Sequence, residues 1–258
     1  MNEQPDDLSD LDVAAFWRDG YLVARHLVSP ERIDTMRGVV TDHLAQNLAP
    51  IEYEVDVKYP GAPTDPEAEG GNTPRRLLHA YARHSVLREW ATDEAIASRL
   101  ARLFDTRDVT LSQCHHNCVM TKHPGFSSAT LWHQDNRYWN FDEQNLISVW
   151  LALGDENRSN GCLRVIPGSH KLSLEPGRFD AALFLRTDVA ENKALLARAV
   201  PVELSAGDVL FFHSKLFHAA GRNLTGEVKL SIVNTYHVGT NHPIEGTRSA
   251  RFPGVPLY

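Results

Sequence analysis

Trp132-His133-Gln134-Asp135 is the stretch that decides the fold, together with Gly207-Asp208-Val209-Leu210-Phe211-Phe212-His213 and Leu216-Phe217-His218-Ala219-Ala220-Gly221-Arg222-Asn223. In an extended strand, residues two apart point to the same side. His133 and Asp135 can therefore grip one metal ion from one face, and a third ligand has to come from elsewhere in the fold. Gly207-Asp208 reads as a turn into an apolar strand, and a new strand starts at Val228. A His at the edge of such a β-turn-β unit is placed to face the first pair across a barrel mouth. Two His and one carboxylate on one face leave the remaining coordination positions open, the arrangement used by non-haem Fe(II) oxygenases. A His-x-Asp pair also occurs by chance, as a core or surface His beside an Asp. The downstream His residues turn the pair into a metal candidate.

Outward from these stretches, the second half of the chain reads as β. Strands are predicted at 109–121, 146–153, 162–166, 202–204, 209–212 and 228–238, with Pro167-Gly168-Ser169 as a turn and 172–199 as an insertion with some helix. The first half reads as mostly helical. A short helix at 11–18 stops at Gly20, and 21–26 is a strand. Ser29-Pro30-Glu31 starts a helix, with Ser as cap and Pro at the first helical position. That helix runs to about Gln46, with Ile33, Met36, Val39, Val40 and Leu44 on one face. Residues 51–75 read as a long loop and lid candidate. Residues 76–104 read as helix in two pieces, with Thr92 as the cap candidate of the second. Helices first and strands afterwards imply a mainly β fold with flanking α-helices, a sandwich or barrel. The chain is read as one domain, 1–258, with a helical part at 1–107 and a β core at 108–258.

Composition narrows the function. With 258 residues, 42% hydrophobic and 23% charged, the chain is an ordinary globular one. A net charge of −7 argues against nucleic acid as a partner, since phosphate binding needs clustered Lys and Arg. No segment approaches the roughly 18 consecutive apolar residues of a membrane span. Three cysteines, Cys114, Cys118 and Cys162, make no disulfide framework and suit a reducing compartment. With an acidic, polar start unlike a secretion signal, this reads as a soluble cytoplasmic protein acting on a small molecule. No feature of the sequence bears on oligomeric state.

The sequence resembles the phytanoyl-CoA dioxygenase family of Fe(II), 2-oxoglutarate oxygenases. The resemblance rests on Phe16-Trp17-Arg18-Asp19-Gly20-Tyr21-Leu22-Val23, Trp132 to Asp135, Ser148-Val149-Trp150-Leu151-Ala152-Leu153, Asn160-Gly161-Cys162-Leu163-Arg164-Val165-Ile166-Pro167-Gly168-Ser169-His170, and Gly207 through Asn223. These stretches span almost the whole chain in the family's order. The resemblance implies a double-stranded β-helix, or jelly roll, with His133, Asp135 and His218 as iron ligands. His213 is the competing distal ligand, but the family pattern puts the ligand before the small residues Ala219-Ala220-Gly221. It implies Fe(II), 2-oxoglutarate and O2 as cofactor and co-substrates, and hydroxylation with release of succinate and CO2. Retention of the Asp135 carboxylate favours hydroxylation or a related oxidation over halogenation.

One departure stands out. The family usually anchors the far carboxylate of 2-oxoglutarate with an Arg where this chain has Lys229, followed by Ser231. Lys is a point charge rather than a bidentate fork. Arg222 is the alternative cation, and a degenerate co-substrate site is the third option. An exposed Lys at a sheet edge would explain Lys229 alone. Along 113–121, alternation puts Gln113, His115, Asn117, Val119 and Thr121 on one face; we expect His115, Asn117 and Thr121 to line the co-substrate pocket. The competing reading is a solvated outer face. Arg137, Tyr138 and Trp150 are the substrate-binding candidates, against an ion pair for Arg137 and core packing for the aromatics. Two other classes compete: a non-catalytic cupin-like metal-binding protein, and a metal enzyme that does not use 2-oxoglutarate.

Overall fold

The computed structural model describes residues 8–57, 59 and 62–258. In chain order its elements are α1 (Asp10–Asp19), β1 (Tyr21–Ala24), α2 (Pro30–Ala45), β2 (Ile51–Tyr53), β3 (Pro74–Leu78), α3 (Ala80–Arg83), α4 (Ser85–Ala91) and α5 (Glu94–Phe104). The β-rich half follows with β4 (Val109–Lys122), β5 (Thr130–His133), β6 (Ile147–Ala152), β7 (Leu163–Val165), α6 (Ala190–Leu196), β8 (Val200–Val202), β9 (Val209–His213), β10 (His218–Ala220), β11 (Lys229–Val238) and β12 (Val255–Pro256).

The strands form two antiparallel sheets. The larger runs β1-β9-β6-β11-β4-β3-β2, with β12 paired to β4; the smaller runs β5-β10-β7-β8. Trp150, Leu210, Phe212 and Val233 of the large sheet pack against Leu163, Val165, Val202 and Ala220 of the small one. This is the jelly-roll core. The outer face of the large sheet is covered by helices. Phe16 of α1, Ile33, Met36 and Val40 of α2, Trp90 of α4 and Leu100 of α5 join Leu111, Val149, Phe211 and Ile232 in one cluster. The inner strands are thus buried on both faces, which is why β6 and β9 are apolar runs rather than alternating ones.

Local chemistry sets the helix ends as the sequence predicts, with one exception. Ser29 caps α2, with Pro30 at its first position. Thr92 ends α4, and Asp93 starts α5, its carboxylate accepting the Ala95 N–H at 2.8 Å. An ionised cap at the positive end of a helix outcompetes a hydroxyl beside it.

Two segment predictions need correction. The 51–75 stretch, of which residues 58, 60 and 61 lie outside the described residues, is not simply a loop. Ile51–Tyr53 pairs with Pro74–Leu78, which pairs with β4, so both extend the large sheet. Arg76, read as helical, lies in β3 opposite Met120. Strands this short carry too few residues for a period to show, and pairing with β4 outweighs local propensity. The region from 76 to 104 therefore holds a strand end and three helices.

Candidate active site

β5 and β10 are neighbours in the small sheet, and His133 and His218 are directly opposite each other. Asp135 follows β5 in a 3-10 turn, Asp135–Tyr138, tied down by the Asn136 N–H donating to Ser214 O at 3.2 Å. Asp135 Oδ1 is 3.6 Å from His133 Nε2 and 3.6 Å from His218 Nε2. One donor atom from each of the three residues lies within 4.8 Å of the others.

The tautomers follow from the backbone. His133 Nδ1 bonds Leu131 O at 2.8 Å, and His218 Nδ1 bonds Leu216 O at 3.0 Å. A carbonyl oxygen only accepts, so each Nδ1 carries the proton and each Nε2 presents a lone pair towards Asp135. Burial pushes the His218 imidazole down to about 4, helped by the neighbouring His133, so it stays neutral. Burial alone would raise the Asp135 carboxyl, but the imidazoles of His116, His218 and His133 hold it well below the usual carboxylate range. Asp135 Oδ2 is buried without a hydrogen-bond partner among the described residues. A buried carboxylate oxygen lacking a donor, beside two lone pairs aimed at one point, fits a divalent cation. His213 is elsewhere: it packs against His170 and Trp17, and its Nδ1 accepts the Lys215 N–H at 3.0 Å.

Two cavities meet at this triad. The inner one lies between the sheets and is lined by Thr121, Lys122, Trp150, Phe212 and Lys229 as well as the triad. The outer one, of about 410 Å³, shares His116, His133, Asp135, Tyr59 and Arg76 with it and extends past Tyr138, Trp139 and the C-terminal segment.

Lys229 reaches the inner cavity, but its charge is already matched. Its Nζ donates to Glu156 Oε2 at 2.9 Å and to Ser231 Oγ at 3.3 Å. Ser231 Oγ and Trp150 Nε1 donate to Glu156 Oε1 at 2.5 and 2.9 Å. Ser231 therefore serves the ion pair and does not line the cavity. Arg222 points away, donating to Ser127 O and Gly125 O. Lys122, the register partner of Lys229, also lines the cavity, and among the described residues its Nζ has only Ser128 O, at 3.0 Å. Burial, with Arg75 and Lys229 nearby, pushes the Lys122 amine down to about 7. Arg75, another cation of this wall, is matched by Glu54 at 3.4 Å.

The pocket face predicted on β4 needs correction. Opposite β11 the register jumps from Asn117 to Ser112 while β11 advances by one residue, so 113–116 form a bulge and the alternation breaks. Beyond the bulge the cavity side carries Cys118, Met120 and Lys122, while Val119 packs under the helices. Asn117 turns its Oδ1 to the Tyr81 N–H, and Thr121 Oγ1 donates to Pro74 O, although Thr121 still edges the inner cavity. His115 lines the outer cavity, stacked on Trp139. Trp150 lines the inner cavity, with its Nε1 bound to Glu156. Tyr138 lines the outer one. Arg137 lines neither; its guanidinium packs over Phe184 and the Tyr138 ring.

Sequence reasoning passed over His116, Glu156 and Arg75. His116 Nδ1 stands 3.5 Å from Asp135 Oδ2, put there by the bulge. No local pattern announces a bulge. For Glu156, a carboxylate could have been sought once Lys229 was read as buried.

The phytanoyl-CoA dioxygenase family pattern (PhyH) matches residues 16–231. The chain belongs to the phytanoyl-CoA dioxygenase family. The match with phytanoyl-CoA dioxygenase 1 of Oryza sativa subsp. japonica is 30% identical over 141 residues, covering 53% of this chain and 50% of that protein. The match with the peroxisomal phytanoyl-CoA dioxygenase of Homo sapiens is 36% identical over 121 residues, covering 43% and 35%. The chain thus spans half or less of the length of these two family members. Among solved structures, EctD from S. alaskensis with 2-oxoglutarate and 5-hydroxyectoine superposes with a TM-score of 0.77 at 22% identity, covering 100% of this chain and 88% of that one. At that identity the likeness shows the shared fold. No helix among the described residues is long and apolar enough to cross a membrane.

Proposed function

We propose that the protein is a non-haem Fe(II), 2-oxoglutarate-dependent oxygenase that hydroxylates a small organic substrate, releasing succinate and CO2. The observation that carries this reading is the triad itself: His133, Asp135 and His218 converge on one point at the junction of two cavities. Family membership supports it. One cavity suits a co-substrate and the other a substrate, and a facial His-Asp-His set leaves room for both.

Bound there, Fe(II) with 2-oxoglutarate and O2 would supply the oxidising power for C–H hydroxylation. The chain's own part is to hold and to exclude. Leu131 O and Leu216 O fix the His133 and His218 tautomers, so that Nε2 is the ligand atom. Lys122 supplies the unmatched positive charge for the far carboxylate of 2-oxoglutarate, with Lys229 beside it held by Glu156. Trp150, Phe212 and Met120 form an apolar wall that keeps bulk water from the inner cavity. His116 and Trp139 border the triad on the outer side, where the substrate would sit. Three free, buried cysteines are in keeping with a cytoplasmic location.

The test is anaerobic titration of the Fe(II) protein with 2-oxoglutarate, followed by its charge-transfer absorption, then admission of air and assay of succinate. The band and succinate should both appear in wild type and both vanish in Asp135→Ala. Iron-loaded, folded protein that shows neither would make this a metal-binding protein or an enzyme independent of 2-oxoglutarate.

A further inference from the structure

The outer cavity has an uneven charge balance. Arg76 is matched by Glu52 at 2.8 Å. Arg248 and Arg251, from the segment that follows β11, line the same cavity, and neither has a carboxylate partner among the described residues. Arg248 is close enough for its charge to matter. Burial pushes the His115 imidazole down to about 3, and Arg248 is the next largest cause.

The turn that carries Arg248 is fixed rather than loose. Ser249 is buried, and its Oγ accepts the Asn140 N–H at 2.9 Å and meets His115 Nε2 at 2.8 Å. Ser249 thereby ties both Asn140 and the His115 ring to this turn. His115 Nδ1 has no hydrogen-bond partner among the described residues. The cavity thus combines two guanidinium groups without a carboxylate partner and an imidazole nitrogen without a hydrogen-bond partner among the described residues. Leu78, Trp139 and Phe252 add apolar surface to its lining.

We propose that the primary substrate is an organic anion whose carboxylate or phosphate is held by Arg248 and Arg251, with its hydrocarbon body against Trp139 and Phe252 and its reacting carbon towards the triad. Guanidinium groups suit both anions through paired N–H donors. On a chain of net charge −7, a local cationic mouth also draws an anion in against the overall field. The proposal rests on the oxygenase reading for the direction of the substrate, but not for the anion site itself.

The test titrates phenylacetate, phenyl phosphate and neutral phenylacetamide into the anaerobic protein loaded with Fe(II) and 2-oxoglutarate, by calorimetry. One of the two anions should bind about 10-fold more tightly than the amide, the worth of one charge-assisted hydrogen bond. Which anion wins separates a carboxylate from a phosphate substrate. Arg248→Gln/Arg251→Gln should bring that anion down to the affinity of the amide and leave the amide unchanged. Both side chains are exposed, so the double variant should melt with wild type, and circular dichroism checks this. Equal binding of all three probes, no binding of either anion, or unaltered anion affinity in the double variant would each overturn the proposal. The same titrations on metal-free protein, read beside the 2-oxoglutarate charge-transfer band, keep the two readings apart. Loss of the band with anion preference intact sinks the oxygenase alone.

Discussion

Lys122 and Lys229 are paired residues on adjacent strands β4 and β11, and both side chains line the inner cavity. Like charges directly opposite each other on a sheet destabilise it. The fold relieves this asymmetrically. Lys229 is locked to Glu156, both groups being almost fully buried, whereas among the described residues Lys122 keeps only a backbone carbonyl. The cavity therefore holds a surplus positive charge that a carboxylate ligand would neutralise.

The two lysines should respond oppositely to removal. Lys122→Met deletes an unmatched buried cation, so the unliganded protein should be as stable as wild type or more so. Its 2-oxoglutarate affinity should fall about 10- to 100-fold. Lys229→Met strands Glu156 and should cost about 3–5 kcal/mol. Glu156→Gln added to it should restore much of that loss, because Ser231 and Trp150 still have an acceptor. Urea melts and charge-transfer titrations of the four proteins decide the matter. A Lys229→Met protein of wild-type stability would refute the ion-pair account.

The depressed Lys122 amine has pH consequences of known sign. Its pKa is about 7 in the folded protein against an ordinary 10.5. Between those values the unfolded chain binds the extra proton, so unliganded stability should rise as pH increases through that window. Below about pH 7 both states are protonated and the slope from this group vanishes. Binding of 2-oxoglutarate needs the ammonium form, so its affinity should weaken above about pH 7, by up to tenfold per unit. Both slopes should disappear in Lys122→Met; a slope that persists there belongs to another group.

Metal binding should stabilise the protein through Asp135. Saturating Fe(II) at 100 times its dissociation constant would add about 2.7 kcal/mol to wild type. In Asp135→Ala this gain should vanish, while the metal-free variant melts no lower than metal-free wild type, because a buried carboxylate oxygen without a donor has been removed. His213→Ala should keep the metal-dependent gain despite its packing loss. Scanning calorimetry with and without Fe(II) under argon compares the three. Retention of the gain in Asp135→Ala, or its loss in His213→Ala, would move the site.

Gly161 tests the geometry beside the triad. Its φ is +77°, and a Cβ there would stand 2.5 Å from Gly221 O, just beyond β10. Gly161→Ala should cost about 2 kcal/mol or more, from left-handed strain and the overlap with backbone. A urea midpoint equal to wild type would show that the close approach of the two loops is dispensable.

Much of the fold was legible in the sequence because its signals are local. The Ser29-Pro30 start of α2, the apolar runs of β6 and β9, and the Gly207-Asp208 turn each depend on a few neighbouring residues. The His-x-Asp pair and a downstream His were visible for the same reason, although Asp135 proved to lie just past the strand, in a turn. What failed depended on pairing. β2 and β3 are too short to announce themselves. The bulge at 113–116 exists only against β11, and it moved His115 to the outer cavity and brought His116 to the triad.

The sequence by itself determined the class of fold, the identity of the three ligand residues as candidates, and the unusual lysine at 229, because ligand chemistry and hydrophobic period are written residue by residue. The sequence pattern already favoured His218 over His213, and the structure brings His218 to His133 and Asp135; only the tertiary structure decided that Glu156 neutralises Lys229. It likewise left Lys122 as the unmatched charge. Each of those outcomes is a distance between side chains remote in sequence, set by strand register and burial, and a linear pattern carries no measure of either.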